Sequence, residues 1–153
     1  MAWSGAAARR SVNYENASYR VNVDVGRAGD FIAAAALSRM GVQNVISQQT
    51  GFDLVAFVPE AIRIEVKTAS KRSSENNKLF SFVTSRGTKK KLRLTSHTAD
   101  VCCLVALPQR CALFKLIDDI TGSNTRIRAE EFTPQNETAS WLDVMEKLND
   151  SPD

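Results

Sequence analysis

At 153 residues, with 43% hydrophobic and 24% charged side chains, the chain has the size and composition of one soluble domain with a core of its own. No apolar run is long enough to cross a bilayer, and residues 1–10 place their arginines after their small residues, the reverse of a secretory signal. The three cysteines are odd in number, lack a C-x-x-C and share the chain with a single histidine, His97, so a disulfide framework and a zinc site are both excluded and a reducing, cytoplasmic setting is expected.

Net charge is only +3, but it is unevenly spread. Residues 61–93 hold ten Lys and Arg against two acids, which leaves the rest of the chain acidic. Such a basic middle fits either a solvated loop or a localised polyanion-binding surface.

Residues 1–25 show no clean period and read as an N-terminal arm in which Tyr14, Tyr19, Val21, Val23 and Val25 make a short helix or strand. Gly26-Arg27-Ala28-Gly29 then opens a helix that runs to about Met40 and closes on Gly41 as a left-handed cap. Every residue from 31 to 37 is apolar, which predicts a helix wrapped by protein on most sides. Asp30 is the exception in its first turn. It serves either the helix dipole or a cluster of acids assembled farther along.

A short strand is expected over residues 42–47, and residues 51–68 follow as the stretch around which the chain is organised. Two strands meet at Pro59-Glu60-Ala61, where proline ends one ladder and starts a turn. Because side chains alternate along a strand, Ile62, Ile64 and Val66 face one way and Arg63, Glu65 and Lys67 the other. The first strand begins at Asp53 and continues through five apolar residues, too apolar for the surface. Paired as a hairpin, the two strands put Asp53 level with Glu65 and Lys67. Two carboxylates and a lysine converging at a sheet edge suit a hard divalent cation and an oriented water. By itself a Glu-x-Lys on a strand is an ordinary solvated face, so the context decides.

Residues 69–78 read as a polar loop and 79–83 as a strand. Residues 84–98 carry the densest positive charge and end in a short helix. Residues 99–107 form a nearly continuous apolar strand of the kind a sheet centre requires, and 111–117 form another. Within the former, the adjacent Cys102 and Cys103 face opposite ways as small core residues. A last helix is expected over about residues 138–148, with Trp141, Leu142, Met145 and Leu148 at helical spacing. One mixed α/β domain spans residues 1–153, with a core over about 26–118.

With that order of elements in view, the sequence resembles the PD-(D/E)XK nuclease superfamily, and within it small Holliday junction resolvases and intron-encoded endonucleases. The carriers are Gly26-Arg27-Ala28-Gly29-Asp30, Gly51-Phe52-Asp53-Leu54-Val55, Ile64-Glu65-Val66-Lys67-Thr68, and the later strand from Ala99-Asp100. The proline of the motif's name is absent before Asp53, and Asp30 stands where the resolvase branch has a glutamate. The resemblance implies a restriction-endonuclease-like α/β fold, a mixed central sheet flanked by helices, and metal-dependent DNA endonuclease activity. It implies catalytic roles for Asp53, Glu65 and Lys67. Asp53 and Glu65 would hold Mg²⁺, or Mn²⁺ in its place, with the Val66 carbonyl and Asp30 as further ligands. DNA, duplex or branched, would be held by Arg27, Lys71, Arg72, Arg86, Lys89, Lys90, Lys91 and Arg93, with Thr68 touching a flanking phosphate and His97 and Asp100 as weaker candidates. A homodimer or higher assembly is expected, since both strands of a duplex must be cut. The alternative is a catalytically inactive nucleic-acid-binding or assembly protein that keeps the same fold.

Overall fold

The computed structural model describes residues 18–47, 51–86, 92–93 and 98–150. In chain order it comprises α1 (Ser18–Arg39), β1 (Gln43–Ile46), β2 (Leu54–Phe57), β3 (Ala61–Ala69), β4 (Leu79–Val83), β5 (Ser85–Arg86), β6 (Leu92–Arg93), β7 (Val101–Ala106), β8 (Cys111–Leu116), β9 (Asn124–Arg128) and α2 (Pro134–Asp150). Five strands make a mixed sheet in the order β1-β2-β3-β7-β8. The β3–β7 pair is parallel and the other three are antiparallel. No helix among the described residues is long and apolar enough to cross a membrane.

Strand alternation divides the core into two layers. Ile64 and Val66 of β3 join Val101, Cys103 and Val105 of β7 under α1 and α2, where Phe114 meets Trp141 edge-on at 5.1 Å. On the opposite face Cys102, Leu104 and Ala106 pack beneath the two-stranded β4–β9 ribbon, whose Phe80 and Phe82 stack around Phe132. Both helices therefore share one face of the sheet, and a ribbon covers the other. Cys102 and Cys103 do fall on opposite faces, and all three cysteines are free and buried. Every residue of β7 is buried, as its unbroken apolar run predicts.

The helix expected from residue 26 begins at Ser18 instead, so residues 18–25 of the proposed arm are helical and Asp30 lies in the middle of α1. The first turn of α1 contains no acid, and the dipole reading of Asp30 falls away. The helix closes as anticipated. Gly41 sits at φ +77°, with Gly41 N–H donating to Ser38 and Val42 N–H to Leu37, a paired arrangement that satisfies the last carbonyls. Its apolar stretch is wrapped only on one side, because Ala33, Ala36 and Leu37 are buried while Phe31 is 54% exposed. Small residues on that inner stripe let the helix lie close to the sheet.

Residues 92–93 of the basic segment are extended and pair with β5; residues 94–97 lie outside the described part. The sequence reading also omitted β9, and the last helix starts earlier than expected. Thr133 caps it, accepting from Asn136 N–H at 3.2 Å, and Pro134 occupies its first position. From α2, Glu137 and Ser140 reach the outer edge of β8, accepting from Ala112 N–H at 2.9 Å and Phe114 N–H at 3.0 Å. This covers an edge that would otherwise offer free donors to another chain. The second Glu137 oxygen accepts from Arg39 of α1 at 2.8 Å.

Replacing Glu137 with Ala strands a backbone donor and a guanidinium together. The Glu137→Ala protein is expected to lose about 1–3 kcal/mol of stability in urea unfolding, whereas an unchanged midpoint would show that water replaces both bonds at no cost.

Candidate active site

The site begins with a mismatch in strand length. β3 has nine residues, but β2 pairs with it only through Ala61–Ile64. From Glu65 onward β7 occupies one side of β3, and among the described residues no strand pairs with the other. Successive residues of a strand direct their backbone groups to alternate sides. Val66 therefore points its N–H and C=O the same way as Ile64, toward the open side.

Asp53 occupies that opening. Its N–H donates to the Ile64 carbonyl at 2.8 Å, and its own carbonyl accepts from Ser47 N–H at 2.8 Å. Its Oδ2 accepts from Val66 N–H at 2.7 Å. The side chain thus continues the hydrogen bonding of β2 one step past the end of the strand. Extending the register from the Leu54–Ile64 pair sets Asp53 across from Glu65, as the hairpin reading requires.

Glu65 and Lys67 leave β3 on the face away from α1 and are joined, Oε1 to Nζ, at 3.0 Å. Glu65 is only 8% exposed, so its charge is held largely by protein neighbours. Beneath it lies Cys102 of β7, fully buried, its thiol pushed up to about 12 by burial. Cys102 is floor, not nucleophile.

The third carboxylate arrives from α1. A Cβ built on Gly29 would overlap Thr68 Oγ1 and lie 2.9 Å from Thr68 Cβ, so only glycine lets the helix backbone come this near to β3. The next residue, Asp30, is half-buried, and its carboxyl is raised to about 7 by burial first and then by the charges of Asp53 and Glu65. The three acids thus sense one another at the open edge.

Carboxylate oxygens plus the Val66 carbonyl, which faces the same opening, form a donor set that suits Mg²⁺ or Mn²⁺. Among the described residues no group of three or more His, Cys, Asp or Glu side chains is placed to hold a metal ion. An ion held here would take few protein ligands and keep several waters, as Mg²⁺ does.

Other predicted residues fall variously. Arg27 is exposed on α1, one turn before Asp30 and on the same side of the helix. Lys71 and Arg72 are exposed in the loop directly after β3. Lys89, Lys90, Lys91 and His97 lie outside the described residues, as do the side chains of Arg86 and Arg93. Thr68 is a correction: its Oγ1 is buried against Gly29 with no hydrogen-bond partner among the described residues, so it packs instead of meeting phosphate. Asp100 is structural. It accepts from Arg63 N–H at 2.8 Å and from the Arg63 guanidinium at 3.0 and 3.2 Å, clamping the start of β7 to β3.

No protein-family model matches the chain, and no curated protein matches its sequence. Among solved structures, that of a bacterial homing endonuclease, I-Ssp6803I, superposes with a TM-score of 0.65 at 12% identity, covering 84% of this chain and 97% of that one. A second, of Archaeoglobus fulgidus Hjc, a Holliday junction resolvase from an archaeal hyperthermophile, gives a TM-score of 0.42 at 14% identity over 70% of this chain and 86% of that one. The chain has a restriction-endonuclease-like α/β fold, with a mixed five-stranded sheet flanked by two helices, as its sequence resemblance implied.

Asp30 binds its proton more tightly folded than unfolded, so the strain it adds is absent below about pH 4, grows as pH rises and is complete above about pH 7. Without divalent ions, Asp30→Asn should therefore be about 1–2 kcal/mol more stable than the parent at pH 8, after allowance for solvent screening, and no more stable at pH 4. Equal melting of the two proteins at pH 8 would sever Asp30 from the other acids. Gly29→Ala should cost about 1–3 kcal/mol by overpacking, and adding Thr68→Ala should recover only part of it, because Cβ of residue 68 still lies 2.9 Å away.

Proposed function

We propose that the protein is a metal-dependent DNA endonuclease that hydrolyses phosphodiester bonds at Asp53, Glu65 and Lys67. The observation that carries this reading is the gathering of Asp30, Asp53 and Glu65, with Lys67, at one open strand edge. Of these acids Glu65 falls within the basic stretch of residues 61–93, and exposed Lys71 and Arg72 follow directly after β3. A module that only binds phosphate has no use for them, since carboxylates repel the ligand unless a cation lies between. The nuclease fold supports the reading independently, the neighbour of similar size being described as a homing endonuclease.

Asp53 and Glu65, with the Val66 carbonyl, would hold the ion, and Asp30 would approach it from α1. Bound there, Mg²⁺ or Mn²⁺ supplies Lewis acidity to the scissile phosphate and acidity to the attacking water. The chain's own residues do the rest. The Val66 N–H holds the Asp53 carboxylate in one orientation, so the ligand is placed before substrate arrives. Lys67 keeps its ammonium 3.0 Å from Glu65, within reach of a water or a phosphate oxygen, where it can orient the first or offset charge growing on the second. Arg27 on the same side of α1 as Asp30, and Lys71 and Arg72 just past β3, meet phosphates on either side and give affinity that weakens with salt. Cutting both strands of a duplex calls for two such sites, hence a homodimer or larger assembly.

The test is cleavage of supercoiled plasmid and of a synthetic four-way junction with Mg²⁺, with Mn²⁺ and with chelator. Glu65→Ala and Lys67→Ala should each lower the rate by about 10²–10³-fold while leaving the melting profile and most DNA affinity in place. Turnover at the parental rate in either variant removes that residue from the mechanism. A preference for the junction assigns a branched substrate, and cutting of plasmid alone assigns a sequence-directed one.

A further inference from the structure

The β4–β9 ribbon presents two faces of opposite character. Phe80, Phe82 and Ile127 point inward and are buried. The alternate residues point outward, and the register places Leu79 opposite Arg128 and Ser81 opposite Arg126. Arg126 and Arg128 are therefore neighbours on the outer face, about 6.8 Å apart along the strand, and both are well exposed.

Two open grooves meet on this face. One, of about 400 Å³, starts at Thr68 and Ala69, directly after Lys67, and passes Lys71 and Arg72 to Arg126. The other, of about 750 Å³, continues from Arg72 past Lys78 to Arg128. Together their walls carry five cations, Lys71, Arg72, Lys78, Arg126 and Arg128, against two acids, Glu75 and Glu130. Those acids pair with Arg126 and Arg128 at 3.4 and 3.6 Å. Ion pairs this exposed contribute little and are readily exchanged for a stronger anion. They keep the guanidiniums standing over the groove without closing it.

We propose that this ribbon face is a track for the phosphate backbone of the DNA flanking the cleavage site, with Arg126 and Arg128 as its far anchors. It rests on the nuclease reading for the nature of the polyanion. The charge pattern itself comes from the strand alternation of β9, a segment that falls outside the basic stretch at residues 61–93. Side chains at a regular spacing on a rigid ribbon suit a repeating backbone charge. Contacts to the phosphate backbone supply register and affinity and no sequence preference.

The experiment measures binding of a labelled duplex by fluorescence anisotropy between about 50 and 300 mM NaCl, in chelator so that no strand is cut. Proteins compared are the parent, Arg126→Gln/Arg128→Gln, and Lys147→Gln on α2 across the sheet as a charge control. Two lost phosphate contacts should flatten the slope of log affinity against log salt by about 1.8, at roughly 0.9 per contact. The control should keep the parental slope. Glu75→Gln should bind more tightly than the parent, an effect that loss of structure does not produce. Parental slope and affinity in the double variant overturn the track, as does binding of duplex RNA in preference to DNA. A parent that binds with the expected slopes but never cuts removes the nuclease reading and leaves the track standing. Normal cutting with an unchanged slope does the reverse.

Discussion

The hydrogen bond from Val66 N–H to Asp53 Oδ2 is the contact on which the site depends. β2 stops at Leu54 while β3 runs on to Ala69, so a backbone donor is exposed in the middle of a largely buried strand. A donor left unpaired there would cost about 1–3 kcal/mol. Another strand would satisfy it and bury the edge. A carboxylate satisfies it and leaves the edge open, with charge concentrated where the sheet ends. The same short bond thus serves stability and holds open the edge used in the proposed chemistry, and it is available only because Asp53 is the residue immediately before the strand.

Much of this was legible because a hairpin is a local structure. Strand alternation alone separates Ile64 and Val66 from Glu65 and Lys67, and the turn at Pro59 sets the level at which Asp53 meets them. The unbroken apolar run of β7 likewise marks a strand covered on both faces, and all its residues are buried. The failures share one cause, which is dependence on partners distant in sequence. Gly26 and Gly29 resemble a helix opener, yet they lie inside α1, and the reason for Gly29 is Thr68, a residue on another element. β9 was overlooked because Thr125, Arg126, Ile127 and Arg128 look polar until β4 supplies the surface against which Ile127 is buried. The start of α2 did carry a local signal, since Thr133-Pro134 is a cap followed by a favoured first residue.

The position of Asp30 illustrates how packing sets electrostatics. An aspartate is short, so it senses acids on the sheet only if its helix lies close to them. The inner stripe of α1 includes Gly29, Ala33 and Ala36, all small, and the helix settles against β3 with the Thr68 hydroxyl buried beneath it. This closeness brings a third carboxylate into a region that already has two, and raises its proton affinity. Phe31 and Ala35 of the same apolar run face outward, which explains why composition alone overstated the burial of this helix.

Charge is therefore arranged at two scales with opposite signs. Within the site the acids outnumber Lys67, and the deficit of positive charge is local, partly buried and weakly screened. Around it the cations of the loop after β3 and of β9 are exposed, individually weak and strongly dependent on salt. Under the proposed function a polyanion would be drawn by the second set from outside, but it could not settle on the first without a cation to bridge it. On the proposed reading binding and cleavage are therefore separable: substitutions on the ribbon would change how a polyanion is held, and substitutions at the open edge of β3 would change what happens to it there.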